Sequence, residues 1–279
     1  MKNILIPTDF SVNSWNAIQY ALELFKKMHC TFYLFHVCRI NMYAGGDVPV
    51  IPSVKSIENT VVKDAKLKLK ELLKRIEHLP FNTKHNFITL AKYDFFVDSV
   101  RYQVSEKSID LIVMGTKGAS GLKETIVGSN TGDVLVKIKC PTLVVPEKAR
   151  FTRPREIVLP TDYNMFYEPS VLQTLMDIAA IHDSAVRVLH ISKKEEELTE
   201  KQQEHKEFIK EYFSGHEVSF HQLTNRKLED AIECFVQSRD IDMIAMVAKN
   251  LNFMEQILFR PAIEKISYHV KVPFLVLHE

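Results

Sequence analysis

The sequence predicts an α/β fold built as two tandem, doubly wound parallel sheets of five strands each. Three observations carry this. Short branched apolar runs such as Leu111-Ile112-Val113-Met114 alternate with longer amphipathic segments, the pattern of strands joined by right-handed helical crossovers and buried on both faces. The chain also repeats: Lys2–Phe10 returns as Arg155–Tyr163, Leu34–Val37 as Val188–Ile191, Leu111–Met114 as Met243–Met246, and Cys140–Val145 as Val272–Leu277. Finally, the chain has only eight glycines, and Gly115, Gly118, Gly121, Gly128 and Gly132 cluster directly after the fourth apolar run of the first copy.

Four landmarks in one order mean two copies of a domain, because solenoid repeats are far shorter. A polar stretch from Pro146 to Arg155 marks the joint, giving expected domains at 1–148 and 152–279. In the first copy the pattern predicts strand one at Asn3–Pro7, then a helix over Ser14–Met28 capped by Ser11 or Asn13, with Ala17, Ala21 and Leu24 facing inward. Strand two covers Thr31–Val37. A breaker-rich loop runs from Cys38 to about Asn59, overlapping the start of a charged helix over Val54–Glu77. Strand three (Asn86–Leu90), a helix (Phe95–Lys107), strand four (Leu111–Met114), a helix (Ser129–Lys139) and strand five (Thr142–Val145) complete the copy. The second copy ends on its own fifth strand, Phe274–Leu277.

Composition narrows the function. Lys+Arg 36 against Asp+Glu 35 leaves no basic excess to recruit nucleic acid or an anionic membrane. No apolar run spans a bilayer and nothing at the start reads as a secretory signal, so a cytoplasmic location is expected. Cys30, Cys38, Cys140 and Cys234 form no Cys-x-x-Cys pair and no zinc spacing, and the apolar neighbours of Cys140 and Cys234 predict buried thiols. There is no P-loop, no Gly-x-Gly-x-x-Gly after strand one, no nucleophile elbow and no His-Glu-x-x-His helix, so neither a catalytic residue nor a protein metal site is assigned.

What remains is an anion cradle. Gly115 and Gly118 follow a strand, and Gly128-Ser129 opens an amphipathic helix whose first amides and positive end favour phosphate. The order Gly115-x-x-Gly118, nine residues, Gly128-Ser129, together with Ile4-Leu5-Ile6-Pro7-Thr8-Asp9 near the start, resembles the nucleotide-binding signature of universal stress proteins. The resemblance implies an adenine-nucleotide α-hydrolase-like fold, with strand order 3-2-1-4-5 in each copy. It places Asp9 and Val37 beside adenosine, with Pro7 and Thr8 lining that pocket. Met114, Gly115 and Gly118 would border ribose and phosphates, while Gly128, Ser129 and Asn130 donate to the phosphate chain. The implied cofactor is ATP, any magnesium arriving on its phosphates. In that strand order the reversal lies between strands one and four, where ligands of open parallel sheets bind, so Asp9 and Gly115 meet in one crevice.

The second copy aligns from Met246 to Val272 without a gap, and there Val247 faces Gly115, Asn250 faces Gly118, Arg260 faces Gly128 and Pro261 faces Ser129. Valine disfavours a positive φ, and proline has no N–H to offer. One nucleotide site, in the first copy, is therefore expected. Asp162 persists in the copy that lost the cradle, which also fits Asp9 as a turn former. His36 and His190 recur at matching strand ends, which favours a fold role over general-base catalysis. Three functions compete: an ATP-binding stress or regulatory module, a slow ATPase or self-phosphorylating enzyme, and a nucleotide-independent pairing module. The fifth strands would be apolar sheet edges. Like domains of the family pair through that strand, so pairing within the chain is expected, with further homodimerisation and any protein partner left open.

Overall fold

A computed structural model of the chain describes residues 1–39, 54–116, 128–192, 194, 197–225, 228–248 and 272–279. The first half runs β1 (Lys2–Pro7), α1 (Val12–Leu24), β2 (Cys30–Arg39), α2 (Val54–Glu77), β3 (His85–Asp94), α3 (Phe96–Glu106), β4 (Leu111–Gly115), α4 (Ser129–Lys137) and β5 (Thr142–Val145). The second runs β6 (Glu156–Thr161), α5 (Pro169–His182), β7 (Ala185–Ser192), α6 (Glu200–Tyr212), β8 (Val218–Thr224), α7 (Leu228–Ser238), β9 (Met243–Val247) and β10 (Phe274–Leu277).

The strands form one ten-stranded sheet in the order β3-β2-β1-β4-β5-β10-β9-β6-β7-β8. Each half therefore has the order 3-2-1-4-5, parallel throughout, and reverses direction between its first and fourth strands. The fifth strands are not edges. β5 and β10 pair antiparallel, Phe274 with Val144, Leu275 with Leu143 and Val276 with Thr142, and all eight residues of the two strands are buried. Because Leu143 and Leu275 are repeat equivalents, this pairing is self-complementary about a local two-fold axis. The edges of the described sheet are β3 and β8.

Burial follows from apolar period. On one face a single cluster joins Trp15, Ile18 and Phe25 of the first half to Leu172, Leu175 and Ile178 of the second, so the core is continuous across the junction. The other face is covered by α3 and α4 over β1, β2 and β4, and by α7 over the second half's strands. Polar contacts seal the joint: Asn16 donates through Nδ2 to the carbonyls of Pro146 (3.1 Å) and Ala149 (3.0 Å), and Lys2 pairs with Asp177 at 2.5 Å. No described helix is long and apolar enough to cross a membrane.

Two cysteine expectations need correction. Cys38 is not the start of a loop but lies inside β2, paired in register with Tyr93 of β3, while residues 40–53 lie outside the described residues. Cys234 is exposed, because the inner stripe of α7 is Ala231, Ile232, Phe235 and Val236, and position 234 falls off it. Of the two proposed caps for α1, Ser11 does the work, its side chain accepting from the Ser14 amide.

His278, next to the junction strand β10, has a buried Nε2 with no partner among the described residues. Desolvation, with a smaller push from Lys139, lowers its pKa to about 4. The unfolded chain protonates this ring near pH 6.5. Between those values the unfolded state binds more protons, so stability is intact above pH 6.5 and falls as pH drops toward 4. Burial shifts His85, His182 and His221 downward too, adding to the same slope. His278→Gln should therefore lose less stability than the parent between pH 7 and pH 5 in urea titrations. Equal losses would show that His278 does not carry the effect.

Candidate functional site

The chain turns tightly after β1, and the turn is built twice. Phe10 and Tyr163 both sit at positive φ, 65° and 55°, a conformation that costs bulky residues about 1–3 kcal/mol. The same bonds hold both turns. The Phe10 and Tyr163 amides donate to Thr8 Oγ1 (3.1 Å) and Thr161 Oγ1 (3.0 Å), and Asp9 and Asp162 accept from the amides of Ser11 and Asn164, each at 3.0 Å. His36 Nδ1 meets the Thr8 carbonyl at 2.7 Å, and His190 Nδ1 meets that of Thr161 at 3.1 Å. The histidines thus clamp strand two to the strained turn. In the first half this turn brings Asp9 to the mouth of a crevice at the switch point.

That crevice is a cavity of about 530 Å³, within the range of small-molecule sites. Pro7, Thr8 and Asp9 reach it from the end of β1, Val37 from β2, Met114 and Gly115 from β4, and Gly128, Ser129 and Asn130 from the start of α4. These are nine of the ten residues expected from the sequence. The tenth, Gly118, lies outside the described residues, as do Lys117, Ser120, Gly121 and Lys123. Their convergence follows from strand order, since β1 lies between β2 and β4.

The phosphate side is set by α4. Its N-cap is Gly128, which has no side chain of its own to cap the first turn, and such a helix start suits an anion. Thr131 Oγ1 donates to the Gly115 carbonyl at 2.8 Å, and the Gly128 amide donates to Thr116 O, which ties the helix start to the end of β4. Neither of the two described glycines that line the crevice, Gly115 and Gly128, sits at positive φ. Gly128 has φ −67° and ψ 158°, ordinary extended backbone. Gly115 is not left-handed either; a Cβ there would meet the Asn13 carbonyl oxygen of α1 at 3.1 Å. In the second half α5 begins nine residues after Pro160, whereas α1 begins five after Pro7, so no such helical turn crowds Val247, which is buried in the core. Gly115→Val should accordingly cost about 1–3 kcal/mol through overpacking. A denaturant midpoint unchanged from the parent would refute the close approach.

A second wall was not anticipated. Val61, Asp64, Ala65 and Lys68 of α2 line the cavity at spacings of three, four and seven, one helical stripe. Asp64 and Lys68 form an exposed ion pair at 2.9 Å. Cys38, buried next to them, also lines the cavity, its thiol donating to the Val61 carbonyl at 3.7 Å, and burial raises its pKa, with Asp64 adding to the rise. Phe10, Ser14, His36, Phe96 and Thr131 complete the lining. The 61/64/65/68 stripe was visible in the sequence, but nothing there showed which crevice it would face. No group of three or more metal-ligating side chains occurs among the described residues.

Comparison with known proteins adds a separate line. Residues 1–146 match the sequence model of the universal stress protein family. Universal stress protein A homolog 1 of Coxiella burnetii is 30% identical over 145 residues, covering 52% of this chain and 95% of the relative. Universal stress protein MJ0577 of Methanocaldococcus jannaschii is 29% identical over 160 residues, covering 53% of this chain and 96% of the relative. Over both halves, the crystal structure of a universal stress protein from Archaeoglobus fulgidus is similar in fold, with a TM-score of 0.69 at 18% identity across 98% of this chain and 97% of that one.

Proposed function

The chain belongs to the universal stress protein family, and from that premise we propose that its first half binds ATP as a regulatory, stress-response module in the cytoplasm. The observation that carries the reading is the convergence in one cavity of the β1 turn, the ends of β2 and β4, and a helix start whose N-cap is a glycine. In this reading the adenosine lies against Asp9, Val37, Pro7 and Thr8. The ribose and phosphates follow Met114, Gly115 and Gly118, and the phosphate chain meets the amides of Gly128, Ser129 and Asn130. ATP supplies the negative charge that the positive end of α4 favours, and brings any magnesium with it. The two halves act as domains over 1–148 and 152–279, paired through β5 and β10. Four free thiols suit a reducing compartment.

The chain's own residues do positioning work here. The strained turn at Phe10 fixes the direction of Asp9, and the Thr131 bond holds the α4 amides in line with the end of β4. Turnover would need a group that orients water or a hydroxyl toward the γ-phosphate. The cavity histidine, His36, engages the Thr8 carbonyl through Nδ1, which orients its ring against the β1 turn.

The test is to purify the protein without added nucleotide, denature it, identify what is released, and titrate the emptied protein with ATP calorimetrically. Saturable binding of one ATP per chain is expected. Absence of both released adenine nucleotide and saturable binding would overturn the reading in favour of a nucleotide-independent pairing module. ADP or phosphoprotein accumulating with magnesium would identify the enzymatic alternative.

A further inference from the structure

The α2 wall of the first crevice is held by contacts that are all on described residues. Ala65 and Leu69 are buried, which sets the rotation of the helix, and the Cys38 thiol donates to the Val61 carbonyl, which pins it against the end of β2. Val61, Asp64 and Lys68 then stand on the cavity side, beside Val37 and Cys38. The second half differs at this place. Its cavity, about 400 Å³ at the carboxyl ends of β6 and β7, receives the neutral amide of Gln202 from α6, the helix that stands where α2 does in the repeat.

Strand order says which end of a nucleotide the α2 wall meets. β1 separates β2 from β4, and neighbouring strands lie about 4.8 Å apart, so the β2 side stands about 10 Å from the β4 side. The start of α4 is tied to the end of β4 by the Thr131 and Gly128 bonds, and it is this side that takes the phosphates. The base then lies at the opposite end, beside β2 and against α2. The charged groups waiting there are Asp64 and Lys68, with Asp64 Oδ2 meeting Lys68 Nζ at 2.9 Å. An ionised carboxylate only accepts hydrogen bonds, at either oxygen. It therefore favours a ring that presents an N–H donor and disfavours one that presents a carbonyl oxygen.

We propose that Asp64 is a specificity-determining residue of the first crevice: its carboxylate accepts a hydrogen bond from the exocyclic amine of the bound base, and Lys68 positions that carboxylate. Val61 and Ala65, on the same stripe, give the ring an apolar wall. This role rests on reading the crevice as a nucleotide site, and it adds which group of the base is recognised and by which side chain.

Inosine triphosphate is the probe, because it differs from ATP in carrying a carbonyl oxygen in place of the amine and a proton on the adjacent ring nitrogen. Calorimetry on the full chain should show ATP binding about tenfold tighter than inosine triphosphate, the worth of one hydrogen bond to a charged group. Asp64→Ala should bring the two affinities within about twofold of each other, mainly by weakening ATP. Lys68→Ala, which keeps the carboxylate but releases it, should narrow the gap less. An exposed pair contributes little to stability, so both variants should fold. Deoxyadenosine triphosphate tests the sugar, and its affinity relative to ATP should be the same in the parent and in Asp64→Ala. Equal parent affinities for ATP and inosine triphosphate, a gap that persists in Asp64→Ala, or a change in the deoxy ratio instead would overturn the role of Asp64 alone. A parent that binds no ATP saturably would overturn the nucleotide reading and this role together, so the two failures are told apart.

Discussion

Gly128→Val is expected to lower ATP affinity at least tenfold while leaving the fold intact. The backbone at Gly128, φ −67° and ψ 158°, is one that valine adopts readily, so the substitution carries little conformational cost. Its side chain would instead stand over the first-turn amides of α4, where the proposed phosphate chain docks. Losing one hydrogen bond to a charged acceptor costs about 1.5–3 kcal/mol, which is tenfold or more in affinity. The repeat supplies a control. Arg260 faces Gly128 in the alignment, and Arg260→Ala should leave ATP binding within about twofold if the second half takes no phosphate. Calorimetry on the three proteins decides. Equal losses in both variants would remove the one-site assignment, and an unaltered Gly128→Val would remove the cradle.

Leu275→Asp is expected to have the largest effect on stability. Leu275 is fully buried and pairs with Leu143 at the two-fold centre of the junction. Truncating a buried leucine to alanine costs about 2–5 kcal/mol, and an aspartate adds a carboxylate with no partner to offset its desolvation. Because one apolar cluster runs through both halves at this point, the loss should appear in the whole molecule rather than in the second half alone. Leu67→Asp on the exposed side of α2, where the residue is 56% accessible, should change stability by less than about 0.5 kcal/mol. Urea midpoints by circular dichroism give the comparison. Similar midpoints for the two variants would mean the junction does not hold the halves together.

Elements bounded by strong local signals were legible in the sequence. β5 and β10 each follow a proline and consist of four buried residues, all apolar but Thr142, and both were placed to the residue. The ends of β2 were harder: the strand continues through Cys38 because its pairing with β3 runs on to Asp94, a tertiary fact that local composition does not carry. Of the clustered glycines, Gly115 and Gly128 line the cavity, and at Gly115 the structural demand differs from the one expected. Positive φ was the expected cause at Gly115, while the demand is space beside the Asn13 carbonyl, which depends on how early α1 begins. The α2 wall could not be assigned because helical period tells which residues share a stripe but not which crevice that stripe faces. Cys234 shows the limit of neighbourhood reading, since apolar neighbours on a helix point to several faces while only one is buried.

The antiparallel contact of β5 with β10 has the symmetry of a homodimer, yet it lies within one polypeptide. Two separate subunits meeting this way would share every mutation, so neither could change its pocket without the other. Covalent fusion removes that constraint: the second half can drop glycines, admit proline and reshape its cavity while its mate keeps the original design. Tethering also fixes the ratio of the two pockets at one to one, and makes their pairing independent of how much protein the cell contains.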